Sequence, residues 1–172
     1  TVVGFLPSIY LSHHIDLKVA GILTAFVSIA NIFGTIASGW LLHHGFTPRR
    51  LLWVGFSTMI LMSWVMFFLA DHLAFTIQYI SVVLFSAVGG LIPTIIFAIS
   101  LHYAPQSNAI AASVGLILQF SALGQFLLPP LTAMLVTQTH DWSNIAWVTT
   151  TLSILGIFLV WRLFKAHPFQ IH

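Results

Sequence analysis

The chain has 172 residues, of which only 5 are lysine or arginine and 3 are aspartate or glutamate. Charged side chains make up 5% of it and apolar ones 59%, against roughly 25% charged in a soluble globular protein. So few charges cannot cover a water-facing surface, which excludes a soluble domain and leaves an integral membrane protein. The net charge of +2 rests on too few groups to imply a nucleic-acid partner, and the absence of cysteine excludes disulfides and thiolate metal sites.

Cutting the chain at its polar clusters gives hydrophobic segments at about 1–12, 17–43, 50–70, 73–101, 109–138 and 143–165. The first begins at Thr1 and falls short of the ~20 helical residues that a crossing takes. It has neither the basic start nor the cleavage site of a signal peptide, and it is expected to be the tail of a helix that begins upstream. The other five are each long enough to span the hydrocarbon core. They are continuous apolar runs without alternation, which predicts helices rather than barrel strands. The short links predict antiparallel neighbours.

The charged residues fall at the cuts or near the C-terminal end and separate by sign. Asp16, Asp71 and Asp141 occupy alternate links, with Lys18 as their one basic companion. Arg49, Arg50, Arg162 and Lys165 occupy the other side. The positive-inside rule then places Arg49, Arg50 and the C-terminus in the cytoplasm. Trp40, Trp53, Trp142 and Trp161 lie near segment ends, as an interfacial aromatic belt requires; Trp64 and Trp147 fit it less well.

In the 17–43 segment, Thr24, Ser28, Asn31, Thr35 and Ser38 recur at spacings of 4, 3, 4 and 3, which puts them on one helical face. Lipid would leave that face unsatisfied, so it meets either a neighbouring helix or a water-filled cavity. Ala30, Gly34 and Ser38 add a small-xxx-small pattern suited to close packing. The 109–138 segment carries Gln119 and Gln125 and runs into Pro129-Pro130, two residues without an amide hydrogen that predict a kink. Pro93 in the fourth segment and Pro7 in the first predict the same. Tyr10, Phe97 and Phe120 either wall a path or simply pack.

No Asp or Glu lies within a span, and the Lys and Arg residues keep to span ends, so this stretch offers no evident proton-carrying carboxylate. The adjacent pairs His13-His14 and His43-His44 point to different helix faces and make poor chelates. No metal site and no cofactor are expected. A weak internal repeat relates Gly4-Phe-Leu-Pro7 to Gly90-Leu-Ile-Pro93, and Gly21 to Asn31 with Gly115 to Gln125, at offsets of 86 and 94 residues. Three spans per copy would make the copies inverted, a transporter device.

The loop "GWLLHHGFTPRR" resembles the motif that joins the second and third helices of each half of a major facilitator superfamily transporter. Gly39 matches its first glycine, Gly45 its second, and Arg49-Arg50 its basic pair. His43 stands where the family has an acid, and the spacing around Gly45 is off by about one residue. "GGLIPTIIFA" and "VGLILQFSALGQFLLPP" resemble the tenth and eleventh helices of bacterial members, among them cyanate-permease-like and drug- or solute-type ones.

The resemblance implies an all-α, six-helix transmembrane bundle over residues 1–172, helices seven to twelve of the family fold, with a 3+3 inverted repeat. It implies secondary transport by alternating access in a bacterial inner membrane. The partners would be an N-terminal six-helix half, the bilayer and a small-molecule substrate, with a coupling proton if transport is proton-driven. Helices one, two, four and five of each half line the path in this family, which singles out Tyr10, Asn31, Thr35, Phe97, Gln119 and Gln125. Gly39, His43, Gly45, Arg49 and Arg50 would form the gating loop; the plainer reading of the arginines is membrane anchoring. On the residues alone, Gly39 is expected to let two helix ends approach, and the arginines to cap helix-end carbonyls. A self-sufficient six-helix channel or scaffold is the alternative. An intramembrane serine protease built on Ser38-Gly39 would need a base at the same depth, and the histidines lie at the edges.

Overall fold

The computed structural model describes residues 16–68, 75–103, 107–139 and 143–166. Among them are five helices: α1 (Leu17–His43), α2 (Pro48–Phe68), α3 (Phe75–Tyr103), α4 (Ser107–Thr139) and α5 (Asn144–Ala166). Each is long and apolar enough to cross a membrane. The expected first segment, with Pro7 and Tyr10, lies outside the described residues, as do Asp71 and Asp141.

Two apolar clusters fix the alternation of direction. One joins Ala20 near the start of α1, Met66 near the end of α2, Val82 and Phe85 in the first half of α3 and Ile145 at the start of α5. The other joins Leu51 and Leu52 at the start of α2, Ile95 and Ile99 late in α3, and Val160 and Phe164 late in α5, with Leu41 and Leu42 of α1 against them. Successive helices therefore run in opposite senses. Arg49, Arg50, Arg162 and Lys165 all belong to the second end, while Asp16 and Lys18 belong to the first. The separation of charge read along the chain is thus a separation in space.

Chain adjacency does not decide which helices touch. The closest pair is α1 with α3; α2 packs on α3 and on α5, and α1 and α2 share no extensive contact. Small residues explain the pairing. A methyl group at Gly34 of α1 would overlap the backbone carbonyl of Ala87, and one at Gly90 of α3 would overlap that of Asn31. Bare backbone on both sides lets the two helices approach where ordinary side chains would hold them apart. Between α2 and α5, Gly156 leaves room for the Phe56 ring, which would lie 2.6 Å from a methyl placed there. At the other end of that contact, Trp64 stacks on Phe68 at 4.3 Å and meets Trp147 edge-on at 5.1 Å. The Trp64 indole donates to the Thr150 hydroxyl at 2.8 Å. The two tryptophans that fitted a belt poorly are a cross-helix pair.

Candidate solute path and connecting loop

The polar face of α1 divides between two environments. Asn31 is half-buried and donates its side-chain amide to the Ser86 carbonyl of α3 at 2.8 Å. Ser86 returns a bond, its hydroxyl donating to the Val27 carbonyl at 2.8 Å. Thr35 donates to its own helix at Asn31 (3.1 Å) and across to Gly90 (3.3 Å), yet the residue stays exposed. Tyr79 of α3 donates to the Leu23 carbonyl at 3.1 Å. Ser38 is buried and its hydroxyl is committed to the Thr35 carbonyl at 2.7 Å. Thr24 and Ser28 donate within α1, to Ala20 and Thr24. Of the two environments the spacing allowed, Asn31 and Thr35 reach the neighbouring helix, and Thr35 also keeps an open side.

Helix α4 is different in kind: it touches α3 and α5 only lightly, and its most apolar stretch contributes no buried residue. Gln119 is exposed and makes no hydrogen bond to a described residue; Gln125 is exposed and donates to Ser121 at 3.3 Å. The helix runs on through Pro129 and Pro130. Neither proline can donate to the carbonyl four residues earlier, so the Gln125 and Phe126 carbonyls lack their ordinary helical donors. Phe120 and Phe126 are 71% and 75% exposed. The Thr132 hydroxyl turns back onto the Leu128 and Pro129 carbonyls at 2.8 and 2.9 Å. In α3, Pro93 is exposed inside a continuous helix and Phe97 is half-buried.

A cavity of about 250 Å³ opens between α2, α3, α4 and α5. Its wall is apolar apart from Thr132, Thr149 and Ser153. The last two, one turn apart on α5, are residues that the sequence reading passed over. Their i, i+4 spacing was the available signal, drowned by the run Thr149-Thr150-Thr151.

The connecting loop is a compact helix stop. Gly45 takes a positive φ of 83°, which glycine adopts at no steric cost. The Gly45 amide donates to the Leu42 carbonyl at 3.2 Å and the Phe46 amide to Leu41 at 3.1 Å, the paired bonds of a Schellman closure. Pro48 then opens α2 at the first helical position, where its missing amide hydrogen costs nothing. The helix-end carbonyl of Trp40 meets the His44 amide and ring nitrogen, at 3.0 and 2.8 Å, and the His44 ring lies 3.9 Å from the Trp40 ring. The expectation that Arg49 and Arg50 cap helix-end carbonyls is not met among the described residues. Both lie in the first turn of α2, are exposed, and make no hydrogen bond or ion pair to a described residue. A methyl at Gly39 would meet nothing described within 4 Å, and among the described residues the close helix approach is at Gly34. His43 is exposed, its ring edge-on to that of His44 at 5.8 Å. Among the described residues no group of three or more His, Cys, Asp or Glu lies together as a metal would require.

No curated protein and no solved structure matches the chain. The family model of the Major Facilitator Superfamily matches residues 1–172, its whole length. Membrane-crossing helices of alternating direction, four of the five basic residues gathered at one end and a family match over residues 1–172 lead to one conclusion: the chain belongs to the major facilitator superfamily, a family of transporters.

Proposed function

We propose that this chain is the C-terminal half of a secondary transporter that moves a small solute by alternating access. In this reading α1, α3 and α4, with the segment before α1, form the wall of the path, and the loop 43–50 opens and closes against an N-terminal half. The 3+3 inverted repeat, the kinks at Pro7, Pro93, Pro129 and Pro130, and a cytoplasmic C-terminus in a bacterial inner membrane belong to the same reading. The observation that carries it is α4. Two exposed glutamines, and two carbonyls that Pro129 and Pro130 leave without their helical donors, belong to a loosely held helix. Lipid would leave these groups unsatisfied, whereas a water-filled path would not.

The polar groups named for the path carry no fixed charge, which favours a neutral or amphipathic solute, or an anion whose counter-charge sits on the other half. The chain has no cysteine, so with any cysteines of the other half replaced, single cysteines report without background. In the complete transporter, in sealed vesicles, Gln119→Cys and Gln125→Cys should react with a membrane-impermeant thiol reagent, while Ser63→Cys, at a fully buried position, should not. Inert cysteines at both glutamine positions would remove α4 from the path. Transport by residues 1–172 alone would favour the self-sufficient channel instead.

A further inference from the structure

At the arginine end a second cavity, of about 510 Å³, opens between α2, α3 and α5. Its size falls within the about 300–1,000 Å³ of small-ligand pockets. The wall is apolar, with Leu52, Phe56, Ile99, Leu159 and Leu163 among its residues, and Arg162 is its one charged member. Leu159 is 62% exposed, so the groove opens to the outside of the bundle. On α2, Arg49 lies three residues before Leu52 and seven before Phe56, which puts it on the groove-lining face, one turn nearer the membrane surface. Arg162 thus lines the groove with its aliphatic stem on α5, and Arg49 lies on the facing side of α2, just beyond the lining.

Neither arginine has an ion-pair partner among the described residues. Acidic side chains are scarce: Asp16 opens α1 at the far end, and Asp71 and Asp141 follow α2 and α4 in sequence. Lys165, by contrast, is engaged, its ammonium 5.0 Å over the Trp161 ring. From Arg162 to Gly156, the deepest lining residue of α5, the helix descends about 9 Å. The lining runs on past Arg162 to Leu163 and Ala166, so Arg162 stands in the wall of an oily slot, and Arg49 stands one turn beyond it on α2.

We infer that this groove is a binding site for an anionic phospholipid, with one acyl chain lying along α2 and α5 and the phosphate between Arg49 and Arg162. Arginine is suited to phosphate by its fork of donors, and basic pockets between transmembrane helices are the general form of such sites. A lipid presents an anion and an oily tail at the depths where the groove offers cations and an oily wall. Neither a free anion nor an uncharged lipid uses both.

The test is native mass spectrometry of the complete transporter purified in detergent, offered dioleoylphosphatidylglycerol and dioleoylphosphatidylcholine in equal amounts. The chains of the two lipids are identical, so their ratio reads the headgroup. The expected result is preferential retention of phosphatidylglycerol. Arg49→Gln and Arg162→Gln should each lower that preference about fivefold, and Lys18→Gln at the opposite end should not change it. Leu159→Trp, which fills the groove at an exposed position, should lower retention of both lipids. Glycerol 3-phosphate should not displace the bound lipid. Circular dichroism and melting curves show that each variant is folded. Equal retention of the two lipids, an effect of Lys18→Gln as large as that of the arginines, or displacement by glycerol 3-phosphate would each overturn the proposal. None of these outcomes bears on whether α4 lines a path.

Discussion

The side-chain amide of Asn31 on α1 reaches the backbone carbonyl of Ser86 on α3 at 2.8 Å. That carbonyl belongs to a helix whose own hydroxyl, on Ser86, reaches back to Val27. The two bonds staple the helices where Gly34 and Gly90 let them touch. Cross-helix bonds of this kind contribute about 0.5–1.5 kcal/mol. Asn31→Ala should lower stability by that amount, read as a shift of the thermal midpoint in detergent. Asn31→Asp should cost more, because it turns an acceptor toward the Ser86 carbonyl. Unchanged midpoints for both variants would mean that Asn31 does not hold the helices together.

The two glycine environments on α1 predict opposite outcomes. Gly34→Ala drives a methyl into the backbone of Ala87, and overpacking of that kind costs about 1–3 kcal/mol. Gly39→Ala meets open space and replaces a helical glycine by the best helix former, a gain of roughly 0.5–1 kcal/mol. Melting of the two variants side by side separates them. If Gly39→Ala is folded and stable yet lowers transport by the complete protein, the gating loop needs glycine there for an approach made with the other half. A Gly39→Ala that melts well below the parent chain contradicts the open environment.

Gly45 is the residue that turns α1 into α2, at φ 83°. An L-residue in that region pays roughly 1–2 kcal/mol, with asparagine tolerated better than alanine. The expected order of melting temperature is parent, Gly45→Asn, Gly45→Ala. Equal stability of the alanine variant would mean that the Schellman closure can relax.

How much of this could be read beforehand follows from which forces are local. The bounds of α1 are fixed by residues at its own ends, Asp16 and Lys18 on either side of Leu17 and the glycine stop after His43, and the hydrophobic pattern marks the same stretch. α2 starts two residues before the expected 50, because Pro48 is at home in a first turn although it interrupts the oily run. The neighbours of α1 could not be read, since that choice depends on two bare backbones that meet only in the folded bundle. Gly34 belongs to the small-residue pattern read from the sequence, and only the position of a second helix decides whether such a glycine is a contact. The polar stripe was legible as a stripe. That Asn31 and Thr35 bond across to α3 while Ser28 stays on its own helix depends on the rotation of α1 against α3.

Ser63 makes the last prediction. It is fully buried in α2, and its hydroxyl oxygen is the one buried side-chain polar atom among the described residues without a hydrogen-bond partner. An unsatisfied buried group costs about 1–3 kcal/mol, whereas removing it leaves little behind. Ser63→Ala should therefore hold stability level or raise it, by up to about 1 kcal/mol once the small lost volume is counted. Ser86→Ala is the contrast, since it deletes a hydroxyl that does bond, and it should destabilise. Opposite signs in the two melting shifts are the expected result. If Ser63→Ala instead loses as much as Ser86→Ala, its hydroxyl has a partner, and a trapped water beside α2 becomes the explanation to pursue.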